Sequence, residues 1–202
     1  MKRHAVMPLC SELYPDCASI FMYRDIITTA KSQYRLVHTF PMAWFAYTVC
    51  RISLYFNETL VESMGLCGKD YRQQLHDNLQ PDILVSCVVT RTYLNLRKMG
   101  INVAGLRYED LVRNPAESFR RVLEHCGLPT DLVEPGLRGM QLDSQRNSTL
   151  AKSNIGDLPE PELTPDSAIR INQMLRKNGL PLIGEEYLLD GTISDDTPKT
   201  TE

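Results

Sequence analysis

Nothing in the sequence has the length and apolarity of a membrane-spanning helix. The longest uncharged stretch, residues 36–50, includes His38, Thr39 and Pro41 and falls short of the roughly 20 apolar residues required. The N-terminus begins with charged residues but has neither a long apolar run nor a small-residue cleavage site, so no signal peptide is expected. The net charge of only −3 provides no basic field that would attract nucleic acid or an acidic membrane. Any anion-binding site must therefore be local.

Two common site signatures are also missing. The six cysteines include no Cys-x-x-Cys pair, so a metal site is not expected. Most cysteines lie in apolar runs, where they would pack as small hydrophobic residues, although their even number leaves disulfides open. No Gly-x-x-x-x-Gly-Lys-Ser/Thr loop is present, which excludes a nucleotide kinase that carries it. His38, His76 and His125 have no carboxylate or cysteine pattern around them and are expected to be structural or surface residues.

What is present is an alternation of apolar runs and helical patterns. The predicted elements are a strand over 18–23, a helix over about 26–37, a second helix from Pro41, a long helix from Pro81 to Gly100, a strand over 101–106, and helices starting at Pro115 and Pro165. This order predicts an α/β fold with a mostly parallel sheet flanked by helices. We expect one domain over residues 1–190 and a polar, disordered tail over residues 191–202.

Arg24 is the residue that first suggests a binding site. It ends the first predicted strand, and Ser32 follows eight positions later on the next helix, four residues after Thr28 and on the same face. A guanidinium offers a planar fork of donors to two anionic oxygens, and a helix start adds unpaired N–H groups, so this arrangement suits a phosphate. Asp25 is placed to cap that helix. The alternative is a surface arginine or a partner for a nearby carboxylate.

Three pieces of sequence follow one another in a familiar order. They are Lys2-x-His4, then Arg24 with Ser32, then the run Tyr108-Glu109-Asp110-Leu111 with Pro115. This order resembles the sulfotransferase family that uses 3′-phosphoadenosine 5′-phosphosulfate (PAPS). The resemblance runs from about residue 2 to residue 130, and more loosely to about residue 193. It implies a three-layer fold of the P-loop sulfotransferase type. It also implies transfer of a sulfuryl group from PAPS to a hydroxyl or amine of a small-molecule or carbohydrate acceptor, in a reaction that needs no metal.

The same resemblance assigns catalysis to the Lys-x-His strand. His4 would accept the proton of the acceptor, a contribution of typically 10²–10⁴-fold for a general base. Lys2 lies two residues away on the same side of a strand, where its ammonium could stabilise charge on the bridging oxygen. Because both residues are near the chain end, a solvated, frayed terminus is the alternative interpretation.

The resemblance also implies how the cofactor is held. Arg24 and Ser32 would bind its 3′-phosphate, with Thr28 beside them, and Tyr108 would pack on adenine unless it is a core tyrosine. Glu109 and Asp110 are expected to brace the following turn. In many family members an Arg-Lys-Gly run in a late loop closes over the 3′-phosphate, and this run is absent here. A late polar loop would replace it through Ser144, Gln145, Arg146 and Ser148. The alternative is that this loop is only solvated. The aromatic stretch from Trp44 to Phe56 could line an acceptor pocket, but core packing is the preferred prediction.

One departure from the family pattern is large. No Gly-containing loop with a lysine, which in the family cradles the 5′-phosphosulfate, precedes Lys2. We therefore expect the chain to be N-terminally incomplete, as a truncated or partial form. Such a form would transfer sulfate only if an upstream segment supplied the phosphate loop. The alternative is a non-catalytic nucleotide-binding or scaffold remnant of the same fold. The compartment stays open between the cytoplasm, by default, and the Golgi lumen if an N-terminal anchor is missing.

Overall fold

The structure, a computed structural model, describes residues 17–56, 79–141 and 161–193. These residues form an α/β arrangement with two strands, seven α-helices and one 3₁₀ turn. In chain order the elements are β1 (Ser19–Tyr23), α1 (Ile26–Thr39), α2 (Pro41–Phe56), α3 (Gln80–Lys98), β2 (Val103–Arg107), α4 (Tyr108–Arg113), α5 (Pro115–His125), the 3₁₀ turn (Thr130–Leu132), α6 (Val133–Gln141) and α7 (Pro165–Lys177).

The two strands pair in parallel, which confirms the orientation predicted from the strand–helix–strand order. The register runs from Ser19 opposite Val103 to Tyr23 opposite Arg107. On the other side of β2, the Gly105 N–H donates to the Gly191 carbonyl at 2.9 Å, and the Ile193 N–H donates to the Gly105 carbonyl at 2.7 Å. β2 therefore lies between β1 and residues 191–193, the start of the stretch that composition assigned to a disordered tail. Residues 194–202 lie outside the described part of the chain.

Helix α1 shows how local sequence sets the ends of an element. Asp25 caps it as predicted, because its Oδ1 accepts the Thr28 N–H at 2.8 Å. The helix continues two residues beyond the predicted Val37, to Thr39. It then ends at Phe40, whose backbone is extended with φ −116° and ψ 113°, since the ring of Pro41 disfavours a helical residue before it.

Proline starts two of the later helices, as predicted. α7 begins after Thr164, whose Oγ1 accepts the Ser167 N–H at 3.2 Å. Asn114 stands at the N-cap of α5, but its side chain makes no capping hydrogen bond. Gly127 follows α5 with a φ of 65°, a left-handed conformation that glycine adopts without a steric penalty. The sequence interpretation assigned no helix to α6, because a proline and two glycines obscure its pattern.

The chain divides into two compact units. Among the described residues, the first unit contains 17–24, 92–141 and 188–193, and the second contains 25–56, 79–91 and 161–187. The boundaries fall between Arg24 and Asp25 and inside α3, where no linker-like stretch interrupts the sequence. The two units share the chain in alternating segments. The single domain expected over residues 1–190 stays a prediction.

In the first unit, residues 188–193 are held against the sheet by two tyrosine hydroxyls. Tyr93 donates to the Asp190 carbonyl at 2.7 Å. The Tyr23 hydroxyl accepts the Leu189 N–H at 3.2 Å and lies 2.6 Å from Thr192 Oγ1. Burial raises the pKa of Tyr93 to about 12, so its hydroxyl keeps the proton that it donates. The Phe21 ring stacks on Tyr93 at a centroid distance of 4.5 Å and so helps to fix the position of this tyrosine.

The second unit has its own apolar core. α3 and α7 supply most of it, at the three- and four-residue spacing of a buried helix face, and Leu180 and Tyr187 follow α7. The fully buried side chains include Ile83, Cys87, Ile171, Met174 and Leu175. Tyr187 lies 3.3 Å from the Thr90 hydroxyl, which gives both buried oxygens a partner. Burial raises the pKa of the Cys87 thiol to about 12, so Cys87 packs as the small hydrophobic residue predicted.

Helix α2 contradicts one prediction. Core packing was preferred for its aromatic residues, but Trp44 is 49 % exposed and Phe45 is 59 % exposed. Tyr47 is partly buried, and its hydroxyl donates to Asp82 Oδ2 at 3.3 Å. Aromatic residues lie on both faces of this helix, so their number alone did not indicate which face is buried. Within the described ranges, no helix is long and apolar enough to cross a membrane.

A carboxylate on α5 gives the first unit an acid-sensitive contact. Glu117 accepts hydrogen bonds from Arg120 and, at 2.7 Å, from Arg121 Nε, and these bonds lower its pKa from 4.5 to about 2. Because the folded pKa lies below the unfolded one, Glu117 stabilises the fold above pH 4.5, and this contribution is lost as the pH falls towards 2. Glu117→Gln is therefore expected to lower stability at pH 7 and to match the wild type near pH 2, as measured by urea unfolding. A constant difference across this range would contradict the assignment.

Candidate functional site

The parallel pairing of β1 and β2 brings two of the predicted site residues to one edge of the sheet. Tyr23 and Arg107 are the last paired residues of the two strands. Arg24 follows the first strand and Tyr108 follows the second, so both lie beyond the carboxyl ends of the strands. In open α/β sheets, ligands bind beyond this edge. Both residues belong to the first unit.

The side chains of Arg24 and Tyr108 are in contact. The guanidinium carbon of Arg24 lies 5.1 Å from the centre of the Tyr108 ring, within the range of a cation–π interaction. The Arg24 side chain is 42 % exposed, and Tyr108 is 39 % exposed. The pair therefore combines a partly exposed planar cation with a partly exposed aromatic ring, the two kinds of group that bind a phosphate and a purine ring.

A carboxylate joins this pair. Glu109 Oε1 lies 3.8 Å from Arg24 Nε, and its Oε2 lies 3.6 Å from Arg107 Nε. We refer to Arg24, Arg107, Tyr108 and Glu109 as the strand-end cluster. The cluster carries two guanidiniums and one carboxylate, a net charge of +1. The sequence predicted that Glu109 braces the following turn, whereas its carboxylate lies between the arginines at the ends of both strands. It also occupies the position next to Arg24 that a bound anion would take.

The predicted phosphate ligands on α1 belong to the second unit. Ser32 is exposed on this helix. Thr28 donates its hydroxyl hydrogen to Asp25 Oδ1 at 2.7 Å and so completes the helix cap. This bond uses the only hydrogen that the Thr28 hydroxyl can donate, which leaves Thr28 less suited to bind an anion than its position on the helix indicated. The joint role of Arg24 and Ser32 stays a prediction.

The other predicted site residues lie outside the described ranges. These are the proposed catalytic pair and the four residues of the late polar loop: Lys2, His4, Ser144, Gln145, Arg146 and Ser148. Their roles stay predictions as well.

Sequence reasoning missed the part that Arg107 plays. The signal was present, since Arg107 directly precedes Tyr108 and is the last residue of β2, while Arg24 comes one residue after the end of β1. Two arginines that end neighbouring parallel strands would be placed side by side, and the carboxylate of Glu109 was available to neutralise them. Of the histidines, His38 is structural as predicted: its Nδ1 lies 2.8 Å from the Tyr34 carbonyl, and its ring stacks on Tyr34.

A small cavity of about 40 Å³ at the start of α5 is a weaker candidate. Asp110, Arg113, Glu117 and Arg121 line it. Both arginines already pair with carboxylates, Arg113 with Asp110 and Arg121 with Glu117. The cavity is therefore close to neutral and has room for little more than a water molecule, far below the roughly 300–1,000 Å³ of a ligand pocket.

The described residues contain no group of three or more His, Cys, Asp or Glu side chains that could hold a metal ion. Comparison of the chain with protein-family models, with curated proteins and with solved structures finds no match. The geometry and chemistry of the strand-end cluster are therefore what a functional interpretation must rest on.

Proposed function

We propose that this chain is a sulfotransferase-like protein that binds the nucleotide part of PAPS at the strand-end cluster. Arg24 would pair with a phosphate of the nucleotide, and Tyr108 would pack against adenine. The observation that carries the proposal is the contact of an exposed guanidinium with an exposed tyrosine ring beyond the carboxyl ends of two parallel strands. The resemblance in sequence order supports the choice of nucleotide. It assigned cofactor-binding roles to Arg24 and Tyr108 without reference to the contact between their side chains.

The proposed reaction is transfer of the sulfuryl group to a hydroxyl or amine of a small-molecule or carbohydrate acceptor. Like phosphoryl transfer, it would depend on positioning of the two reactants and on stabilisation of charge. His4 would take the acceptor proton, and Lys2 would stabilise the leaving oxygen. The proposed fold is the three-layer, mostly parallel arrangement of the P-loop sulfotransferase type, which the parallel pairing of β1 and β2 and the helix after each strand support.

Calorimetric titration of the full chain with adenosine 3′,5′-bisphosphate tests this proposal. Adenosine 5′-monophosphate, which lacks the 3′-phosphate, is the matched control. If Arg24 binds the 3′-phosphate, the bisphosphate should bind at least about tenfold more tightly, since a hydrogen bond to a charged group contributes about 1.5–3 kcal/mol. Equal affinity for the two would contradict the assignment of Arg24, and binding of neither would reject the function.

A second candidate is a non-catalytic scaffold in which the strand-end cluster only ties β1 to β2. The observation that favours it is Glu109, whose carboxylate lies within 4 Å of both arginines and neutralises part of their charge. A bound phosphate would have to compete with this carboxylate for Arg24.

Glu109→Gln separates the two candidates, because it keeps the size of the side chain and removes its charge. If the cluster binds a nucleotide, the variant should bind adenosine 3′,5′-bisphosphate roughly 3- to 10-fold more tightly than the wild type, since a repulsive charge near 4 Å is lost at a partly exposed site. If the cluster is a scaffold, the variant should gain no affinity and should show only a slightly lower melting temperature. Asp110→Asn, one residue along α4, is the control for a general loss of negative charge.

A further inference from the structure

Helix α2 carries an apolar stripe that faces solvent. Met42, Phe45, Val49 and Ile52 are between 45 % and 78 % exposed. Exposed apolar residues that occur singly are ordinary, but these four recur on one helix. A contiguous apolar patch of this kind often serves as an interaction surface.

The spacing of the stripe indicates what covers it. The four residues are separated by three, four and three positions, which is the a–d–a–d order of a helix that packs along another helix. Ala46 and Thr48 flank the stripe and are small and uncharged, so they allow a second helix to approach closely. Tyr47 lies on the opposite side of α2, where its hydroxyl donates to Asp82 within the second unit.

The charge pattern favours a second copy of this chain as the partner. A two-fold interface brings the same patch of both subunits together, so a charged residue near its centre would face its own like charge. Residues 41–50 contain no charged side chain, so no like charges would meet at the centre of a two-fold interface formed by the stripe. A lipid surface is disfavoured, because an interfacial helix carries several lysines or arginines along its polar face, whereas the only charge on α2 is Arg51.

The area also fits a modest dimer. With a fully exposed large side chain at roughly 200 Å², the stripe and the flanking Ala46 expose on the order of 500 Å² per copy. Two copies would bury about 1,000 Å² in total, at the lower limit for a specific protein interface. We propose that α2 forms a two-fold helix-pair interface between two copies of this chain, with an affinity in the micromolar range.

Sedimentation equilibrium of the full chain from about 1 to 200 μM tests this proposal over the range in which such a dimer forms. The wild type should shift from monomer to dimer. Phe45→Glu should weaken the dimer by at least about 100-fold, because it buries an unpaired charge. Ile169→Glu is the matched control, because Ile169 is 57 % exposed, close to the 59 % of Phe45, but lies on α7. The Ile169→Glu variant should therefore form the dimer with the same affinity as the wild type.

Trp44 provides a second measurement, because it is the only tryptophan in the sequence. Its emission should move to shorter wavelength as the wild-type concentration rises, and should not move in Met42→Glu, a change at a side chain 78 % exposed that leaves the core untouched. A wild type that stays monomeric, or a dimer that Phe45→Glu and Met42→Glu leave intact, would overturn the proposal. So would a blue shift that appears only with phosphatidylcholine vesicles.

Discussion

Arg24→Ala is expected to weaken the binding of adenosine 3′,5′-bisphosphate by about 10- to 150-fold, which corresponds to loss of a hydrogen bond to a charged group worth about 1.5–3 kcal/mol. The fold should survive the change. The contact with Tyr108 and the ion pair with Glu109 lie at a partly exposed position, where each contributes no more than about 1 kcal/mol. Titration calorimetry and the ligand-induced change in melting temperature would both report the loss.

Two variants make this experiment specific. Arg113→Ala removes another exposed guanidinium of the same unit, whose partner is Asp110, and should leave nucleotide affinity within about twofold of the wild type. Arg24→Lys keeps the positive charge but loses the planar fork of donors, so its affinity should lie between those of the wild type and Arg24→Ala. If Arg24→Ala binds as tightly as the wild type, the strand-end cluster is not the phosphate site.

The other large effect is expected at Gly105, in the middle of β2. A methyl group at this position would lie 2.9 Å from the Tyr93 hydroxyl oxygen and 3.2 Å from both Thr192 Oγ1 and a ring carbon of Tyr23. These groups hold residues 188–193, so they cannot move away without breaking the hydrogen bonds that they form. Gly105→Ala is expected to destabilise the protein by about 2–4 kcal/mol, from overpacking and a lost hydrogen bond, and to lower the melting temperature by roughly 4–15 °C.

Gly139→Ala is the matched control, because a methyl group there would meet nothing within 4 Å. It lies in α6, where alanine is expected to stabilise the helix by about 0.5–1 kcal/mol relative to glycine. Tyr93→Phe removes the oxygen that the new methyl group would strike, so the double variant Gly105→Ala/Tyr93→Phe should lose less stability than the two single changes summed. Additive losses in urea unfolding would show that the hydroxyl contact is not the cause.

Local signals in the sequence predicted both strands and five of the seven helices that the structure describes, all but α4 and α6. The strands were recognised as short apolar runs, and α1 and α7 by the cap residues Asp25 and Thr164, because these signals depend on neighbours within four positions. Parallel pairing followed from the helices between the strands. The proximity of Arg24 and Tyr108 could also be predicted, since parallel strands place their carboxyl ends at the same edge of a sheet.

What the sequence did not indicate depends on contacts between distant residues. The pairing of residues 191–193 with β2 rests on two tyrosine hydroxyls about 100 or more positions away, and a polar composition gave no sign of it. The position of Glu109 between two arginines required the register of β1 and β2. The exposed face of α2 was missed because aromatic residues also lie on its opposite face, where Tyr47 is partly buried, so hydrophobicity alone could not distinguish core from surface.

The position of residues 188–193 has a consequence for how the protein avoids aggregation. A strand with an open side offers a row of free amide and carbonyl groups to any other extended chain. At Gly105 this side of β2 is closed by Gly191 and Ile193. A polypeptide that ended before Leu188 would expose an apolar strand edge to its neighbours, and self-assembly through strand addition would then compete with correct folding.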